Sequence, residues 1–509
     1  MKEKYYISTA IAYTSAKPHI GNTYEIVLAD SIARFKRLKG YDVYFQTGTD
    51  EHGEKIQQKA EANGVSPKEY VDNISKEIKR IWDLMNTSYD KFVRTTDHDH
   101  EVIVQKIFKK MYDKGDIYKG EYKGLYCTPC ESFWTESQLD ENGCCPDCHR
   151  EVKESTEEAY FFKLSNYQER LEKYIEEHPD FILPIARKNE MVNNFIKPGL
   201  QDLCITRTSF DWGIETPIDS KHVIYVWLDA LTNYITNIGY DPDGSTEQFK
   251  RLWPVDVHVI GKDIIRFHSI YWPAFLWSLD LPLPKHIFGH PWLLMNNDKM
   301  SKSKGNVIYA DELVEKYGVD AVRYYLIHEI PFANDGNISY DLITERLNSD
   351  LANILGNLVQ RTISMAHKYF DGKVSNKKEY QDIDYKLIDS INSLDMKVTE
   401  KMDSFHIADA VSEIFDLLRE TNKYIDETTP WTLAKDSSNM NRLETVIYNL
   451  LESIRVCGIY LSPFIPDTSD NIIKQLNNYN DAFKYVEDNN YQVNDPVPLF
   501  MRIDVKKDK

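Results

Sequence analysis

The chain has 509 residues, about three times the roughly 150 of a typical domain, so two to four domains are expected. With 42% hydrophobic and 28% charged residues it has the composition of a chain that packs a core, which excludes wholesale disorder. The formal net charge of -19, from 80 acidic against 61 basic residues, argues against a uniformly basic nucleic-acid surface, but it leaves room for a local basic site on an acidic body.

The segment Tyr5–Ala16 follows Met1-Lys2-Glu3-Lys4 and carries Tyr5, Tyr6, Ser8, Thr9, Tyr13, Thr14 and Ser15, too polar for the core of a signal peptide. Residues 5–12 read as a strand. Thr23–Lys39 reads as a helix, with Ile26, Ala29, Ile32, Ala33 and Leu38 near helical spacing and Gly40 as its stop. Val43–Gln46 reads as a second strand, and this alternation predicts an α/β layer with a parallel sheet. The pattern breaks near Gly115. Cysteines and an acidic stretch follow, and strand-like runs return at His222–Trp227 and Val257–Ile260.

These shifts place the two parts of one α/β domain at 1–115 and 222–325, separated by an insertion at 116–221. A linker at 326–347, a helical domain at 348–476 and a polar, Asn-rich tail at 477–509 complete the division. In the helical domain Leu347, Leu351, Ile354, Leu355, Leu358, Thr362 and Ile363 share one broad face. Asn353, Asn357 and Arg361, at i, i+4 and i+8, project from another. No run of 18 apolar residues occurs, so no membrane span is expected.

Four strings bear on chemistry. Pro18-His19-Ile20-Gly21-Asn22 lies between the first strand and first helix. A helix N-terminus there offers N–H groups to phosphate, His19 adds a donor and Gly21 admits close approach, although a capped loop with a structural histidine would look the same. Asp298-Lys299-Met300-Ser301-Lys302-Ser303-Lys304-Gly305-Asn306 sets lysines among small residues, as a mobile loop facing a leaving phosphate would, and as a solvated basic turn would too.

Of seven cysteines, five lie between Cys127 and Cys148. Cys127-x2-Cys130 and Cys145-x2-Cys148 are two knuckles separated by fourteen residues, the pattern of a closed four-thiolate zinc site with a structural role. Cys144 is read as a bystander, and the clustering indicates a cytoplasmic protein rather than a secreted disulfide framework. Finally, Tyr225–Ala230 and Gly261–Trp272 bring Trp, Tyr and His to strand ends, where open α/β sheets bind ligands. Such a lining suits a polarizable thioether, but taken alone these strings read first as core packing.

Together these strings resemble the class I aminoacyl-tRNA synthetases and, within them, the bacterial methionyl family. His19–Asn22 is similar to that family's HIGH element, and Lys299–Ser303 matches KMSKS letter for letter. Thr47-Gly48-Thr49-Asp50-Glu51-His52-Gly53, the zinc knuckle, Tyr225–Ala230, Gly261–Trp272, Asn353–Arg361 and Thr429-Pro430-Trp431 follow in the family's order, from about residue 4 to 503. The resemblance implies a Rossmann-type catalytic domain split by a zinc-bearing connective peptide, then a stem-contact segment and an α-helical anticodon-binding domain. It implies activation of L-methionine by ATP to methionyl-adenylate and transfer to the 3′ end of tRNA(Met).

By the same resemblance, His19, Gly21, Asn22, Asp263, Lys299 and Lys302 would serve ATP and catalysis. Asp50 would pair with the methionine ammonium. Ile11, Tyr13, Trp227, Ala230, Leu231, Tyr234, His268 and Trp272 would form the side-chain pocket. Asn353, Asn357, Arg361 and Trp431 would read the anticodon. One structural Zn2+ on Cys127, Cys130, Cys145 and Cys148, and Mg2+ with ATP, are the implied cofactors. A monomer is expected, or a dimer if a C-terminal tRNA-binding domain is missing. One departure stands out: the family's second histidine is Asn22 here, which can donate a hydrogen bond but never carries a proton-borne charge. Isoleucyl, leucyl and valyl enzymes would need a larger insertion, and a cysteinyl enzyme would place zinc in its amino-acid pocket. A nucleotide-dependent oxidoreductase would need a G-x-G-x-x-G turn after the first strand, which is missing.

Overall fold

The computed structural model describes residues 2–128, 132–134, 136, 139–146, 148–295, 298–300 and 306–504, without the side chains of Tyr122, Ser132, Phe133, Ser155, Val226, Asp298 and Lys299. The chain divides into two compact units. Residues 1–29 and 40–290 form the first, and residues 30–39 and 291–509 form the second.

The first strand, Lys4–Tyr13, is the middle of the first unit. The second strand, Asp42–Asp50, pairs with it in parallel on one side, and Val257–Gly261 on the other. Lys91–Arg94 lies beyond the second strand, and His286–His290 then Ile182–Leu183 beyond Val257–Gly261, all parallel. The sheet is therefore doubly wound, with the switch in strand order beside its first strand, where the carboxyl ends of such strands leave a crevice for ligands. Gly48 stands opposite Val93, and a Cβ there would fall 2.1 Å from the Val93 carbonyl oxygen, so the Thr47–Gly53 string needs glycine for the strands to pair.

Several elements differ from the sequence reading. The first helix runs Ile20–Leu38, so Gly21 and Asn22 belong to its first turn rather than to the preceding loop. The run His222–Trp227 is strand only within Asp219–Ile224. Tyr225 then starts the helix Val226–Thr236, whose Leu228, Leu231 and Ile235 repeat at helical spacing and are buried, and this periodicity overrides the strand preference of Val226 and Trp227. Within 116–221, Ile182–Leu183 returns to the edge of the parallel sheet. Two residues ending at Pro184 are too short to show a pattern.

The rest of that span holds an antiparallel sheet ordered Ser132–Trp134, Ile117–Cys127, Lys153–Phe162, Leu203–Cys204.

The second unit is mainly helical. Asn357–Phe370, Asp382–Asp403, Ile407–Thr428, Met440–Leu461 and Pro466–Leu476 are its long helices. Met440–Leu461 is buried from Arg442 to its end. Leu347–Gly356, expected as ordinary α-helix, is π-helical and passes into Asn357–Phe370. The polar tail is fastened by a buried ion pair. Arg455 donates to the carbonyls of Asn480, Ala482 and Lys484, and Glu452 accepts from Tyr491, Asn489 and the Val486 N–H. Among the described residues no helix is long and apolar enough to cross a membrane.

Candidate functional site

The residues singled out in the first unit gather at the carboxyl edge of the parallel sheet. Ile11 and Tyr13 end the first strand, and Tyr13 lies in register with Asp50, the last residue of the second. Trp227, Ala230, Leu231 and Tyr234 come from the helix Val226–Thr236. His268 and Trp272 come from the π-turn Phe267–Tyr271 and the helix that continues it, a few residues after the strand Val257–Gly261.

Hydrogen bonds fix the ring states of this group. The His268 Nδ1–H donates to the Ile264 carbonyl at 3.0 Å, which leaves Nε2 to accept the Tyr234 hydroxyl at 2.8 Å. Trp272 Nε1–H donates to His258 Nε2 at 3.2 Å, so His258 carries its proton on Nδ1, 2.7 Å from Ser8 Oγ. Burial pushes the His268 pKa down to about 4, against a smaller opposing effect of the Ile264 carbonyl. Burial also drives His258 well below its usual range, with His268 adding to it. Both imidazoles are therefore neutral. This group of side chains is apolar and aromatic, with oriented dipoles and no side-chain charge from these rings. Trp227 stacks on Phe267 with centroids 3.5 Å apart. His258 was not among the sequence candidates. Its signal was a lone polar residue in the otherwise apolar strand Val257–Gly261.

The turn after the first strand is organised around its own histidine. The Gly21 N–H donates to His19 Nδ1 at 3.0 Å, placing the proton of neutral His19 on Nε2. Asn22 Oδ1 accepts the His19 N–H at 3.2 Å. The Asn22 amide group thus braces the turn through its oxygen and keeps its N–H2 as donor. At the end of the strand Val257–Gly261, a Cβ on Gly261 would sit 2.6 Å from Asp263 Oδ1, so this glycine gives the Asp263 carboxylate its room.

Three thiols converge in the antiparallel insertion. The ligand atoms of Cys127, Cys145 and Cys148 lie within 4.8 Å of one another. Cys127 Sγ and Cys148 Sγ are 3.6 Å apart, too far for a disulfide at about 2.05 Å and near the roughly 3.8 Å edge of a tetrahedron with metal–sulfur bonds of about 2.3 Å. Asp140 accepts the Cys144 and Asn142 N–H groups and thereby shapes the turn leading to Cys145. Cys144 Sγ instead lies 3.9 Å from the Asn142 carbonyl and is not one of the three. Such a group can hold a metal. Cys130 and Lys302 lie outside the described residues, as does the Lys299 side chain.

In the second unit, Asn357, Arg361 and Trp431 line one cleft of about 420 Å³, together with Gln360, Ser364, Met365, Lys368 and Tyr369. Asn353 is not in the lining but accepts from Asn357 Nδ2 at 3.3 Å. Arg361 faces Asp426 at 3.7 Å, an exposed pair of little energetic weight. Thr429, at φ 44°, ends the preceding helix in the left-handed region, and Pro430 opens the short helix that carries Trp431.

The model of "tRNA synthetases class I (M)" matches residues 5–157 and 150–363, and "Anticodon binding domain of methionyl tRNA ligase" matches 374–498. The chain is similar to the methionine–tRNA ligase of Clostridium acetobutylicum, 59% identical over 476 residues, which are 94% of this chain and 74% of that protein. It is 47% identical to that of Bacillus subtilis over 525 residues, 99% of this chain and 78% of that protein. Among solved structures, Mycobacterium tuberculosis methionyl-tRNA synthetase in complex with methionyl-adenylate matches with TM-score 0.95 and 41% identity, covering 98% of this chain and all of that one (100%). The apo form of that enzyme matches with TM-score 0.87 and 38% identity, covering 99% of each.

Proposed function

The chain belongs to the methionyl family of class I tRNA synthetases, and from that premise we propose how its residues divide the work of a methionine–tRNA ligase. In the first step a carboxylate oxygen of L-methionine attacks the α-phosphorus of ATP, the bond to the bridging oxygen breaks, and pyrophosphate leaves. In the second, a terminal ribose hydroxyl of tRNA attacks the methionyl carbonyl and releases AMP. Neither step needs a covalent bond to the protein. Positioning and stabilisation of phosphate charge supply the acceleration.

Asp50 holds the methionine ammonium beside Tyr13. Ile11, Trp227, Ala230, Leu231 and Trp272 enclose the side chain, while Tyr234 and His268 offer it oriented dipoles. One observation carries this reading: the Ile264–His268–Tyr234 hydrogen bonds hold the polar wall buried and neutral. A thioether is apolar and polarizable and needs that environment, which would reject a charged side chain. His19 through Nε2, Gly21, Asn22 and Asp263 serve ATP. Lys299 and Lys302 meet the charge on the departing pyrophosphate.

Mg2+ enters with ATP, whose phosphates supply most of its ligands. The thiols of Cys127, Cys145 and Cys148, with Cys130 as fourth ligand, suit one Zn2+ that stiffens the insertion and takes no part in the chemistry. Asn353, Asn357, Arg361 and Trp431 read the CAU anticodon of tRNA(Met) by hydrogen bonding and stacking. A cytoplasmic monomer completes the reading. The test is ATP–pyrophosphate exchange with methionine, leucine, isoleucine and cysteine compared at equal concentration. Methionine should dominate, and preferred exchange with any of the other three contradicts the pocket assignment.

A further inference from the structure

A buried cluster of charge lies behind the methionine pocket. Asp229, in the helix Val226–Thr236, is fully buried, and each of its oxygens meets an imidazole from a different element. His52 Nδ1 is 2.7 Å from Asp229 Oδ2, and His100 Nε2 is 2.7 Å from Oδ1. His52 lies in the loop just after the second strand, two residues beyond Asp50. His100 belongs to the helix His98–Asp113, and its Nδ1 lies 2.7 Å from Thr236 Oγ1 at the far end of the helix that carries Asp229. The outer nitrogen of His52 lies 3.6 Å from Glu101 Oε1. The His52 ring leans on Trp212, whose Nε1–H donates to the Glu51 carbonyl at 2.6 Å.

Burial disfavours charge on His52, but Asp229 and Glu101 outweigh it and raise its pKa to about 10. Burial likewise opposes ionisation of Asp229, and the two imidazoles reverse that, holding its carboxyl below the usual range. The cluster is thus an ion pair sealed within the protein. A buried pair of this kind adds little net stability over apolar packing, yet breaking one partner leaves an uncompensated charge, so it fixes geometry better than it adds energy.

We propose that Asp229, His52 and His100 form a positioning clamp for methionine: by tying the loop after Asp50 to the helix bearing Trp227 and Ala230, it sets the distance between the ammonium-binding carboxylate and the side-chain wall. The sequence spacing makes the coupling direct. Asp50 is two residues before His52, Trp227 two before Asp229, and Ala230 one after it. None of the three clamp residues touches ATP's side of the site at Gly261–Asp263 through any of these bonds. Loosening the clamp should therefore weaken methionine binding ahead of ATP binding.

The proposal rests on the assignment of Asp50 and Trp227 to methionine, and the experiment separates the two. Pyrophosphate exchange is measured for wild type and for His52→Ala, His52→Asn, His100→Gln and Asp50→Ala, each well below its melting midpoint. His52→Ala should raise KM for methionine tenfold or more, with KM for ATP within twofold and kcat within threefold. His52→Asn, which keeps a donor near Nδ1, and His100→Gln, which keeps one near Nε2, should recover most of the loss. If His52→Ala does not fold, the same split, smaller in size, is read from His52→Asn and His100→Gln. A drop in melting temperature with KM for methionine within twofold in every foldable clamp variant overturns the clamp, as does a parallel rise in both KM values. If Asp50→Ala also leaves KM for methionine unchanged, the pocket reading itself has failed rather than the clamp alone.

Discussion

Tyr234 and His268 are 1% and 2% exposed, whereas Trp431 keeps 43% of its surface open. On the proposed reading, the amino-acid pocket is built from buried side chains bonded to one another, and the anticodon cleft from exposed side chains with only loose pairings, Asn357 to Asn353 at 3.3 Å and Arg361 to Asp426 at 3.7 Å. The contrast follows from the ligands. A thioether makes few hydrogen bonds, so selectivity must come from shape and from dipoles oriented in advance within a dry wall. Unpaired bases bring their own donors, acceptors and faces, so their site needs exposed amides, a guanidinium and a stacking platform. The two regions should therefore fail independently and respond to different variables.

The largest effect is expected on the pocket side. Asp50→Ala removes the proposed partner of the substrate ammonium, a carboxylate that is nine-tenths buried. It should lower kcat/KM for methionine about a hundredfold or more, in line with about 3–5 kcal/mol for breaking a desolvated charge pair. Binding of tRNA should be unaffected, and steady-state exchange beside a filter-binding assay checks both. Second in size is Trp431→Ala. Loss of a stacking platform is worth about 1–3 kcal/mol per base, so kcat/KM for tRNA should fall about tenfold to a hundredfold with pyrophosphate exchange unchanged. Equal damage to exchange would erase the distinction between the regions.

A smaller effect is expected from pH. His268 has its pKa lowered to about 4, mainly by burial. The unfolded chain, with histidine near 6.5, takes up the proton first, so this group costs stability as pH falls from about 6.5 toward 4 and is silent above. Melting temperature should decline in that window while KM for methionine stays level from pH 6.5 to 8.5, as thermal melts and exchange assays across about two pH units on either side will read. A KM that climbs as pH drops through about 6.5 would show His268 titrating at its ordinary value. The smallest effect belongs to Asn22→His. Asn22 already braces the His19 N–H at 3.2 Å without any charge. Restoring the family's histidine should therefore change adenylate formation by less than about tenfold, under about 1.4 kcal/mol of barrier. A loss of several orders of magnitude in a folded variant would contradict the idea that a neutral donor suffices there.

Much of this is legible in the amino-acid sequence, because strand ends and metal knuckles carry their chemistry in short strings. The sequence Cys127-x2-Cys130 to Cys145-x2-Cys148 declares itself by spacing, and Tyr13 directly follows the strand read at 5–12, whereas the second strand, read as Val43–Gln46, runs on to Asp50. What stayed hidden depends on distance in the fold. Ser8, His258 and Trp272 are linked by hydrogen bonds across residues far apart in sequence, and although Trp272 and the lone polar His258 stand out locally, nothing local announces that they pair. The π-helical Leu347–Gly356 has an ordinary amphipathic pattern, since one widened turn barely alters which residues recur on a face. The Asn-rich tail looked like a plain polar segment because its anchor, Glu452–Arg455, lies inside a distant helix.

The net charge of -19 gives the comparison its sharpest form. On the proposed reading, an acidic body holds tRNA through local contacts such as Arg361 and the lysines of the KMSKS string, and such contacts weaken as added salt makes the release of counterions from the tRNA less favourable. The buried pocket has no comparable dependence, since salt screens exposed charges far more than buried ones. The most direct test is one salt titration of the wild-type enzyme, with aminoacylation and methionine-dependent exchange followed in parallel. From about 50 to 200 mM monovalent salt, kcat/KM for tRNA should fall about tenfold or more while KM for methionine stays within about twofold. If the two parameters move together, the division into a dry pocket and a wet cleft is wrong.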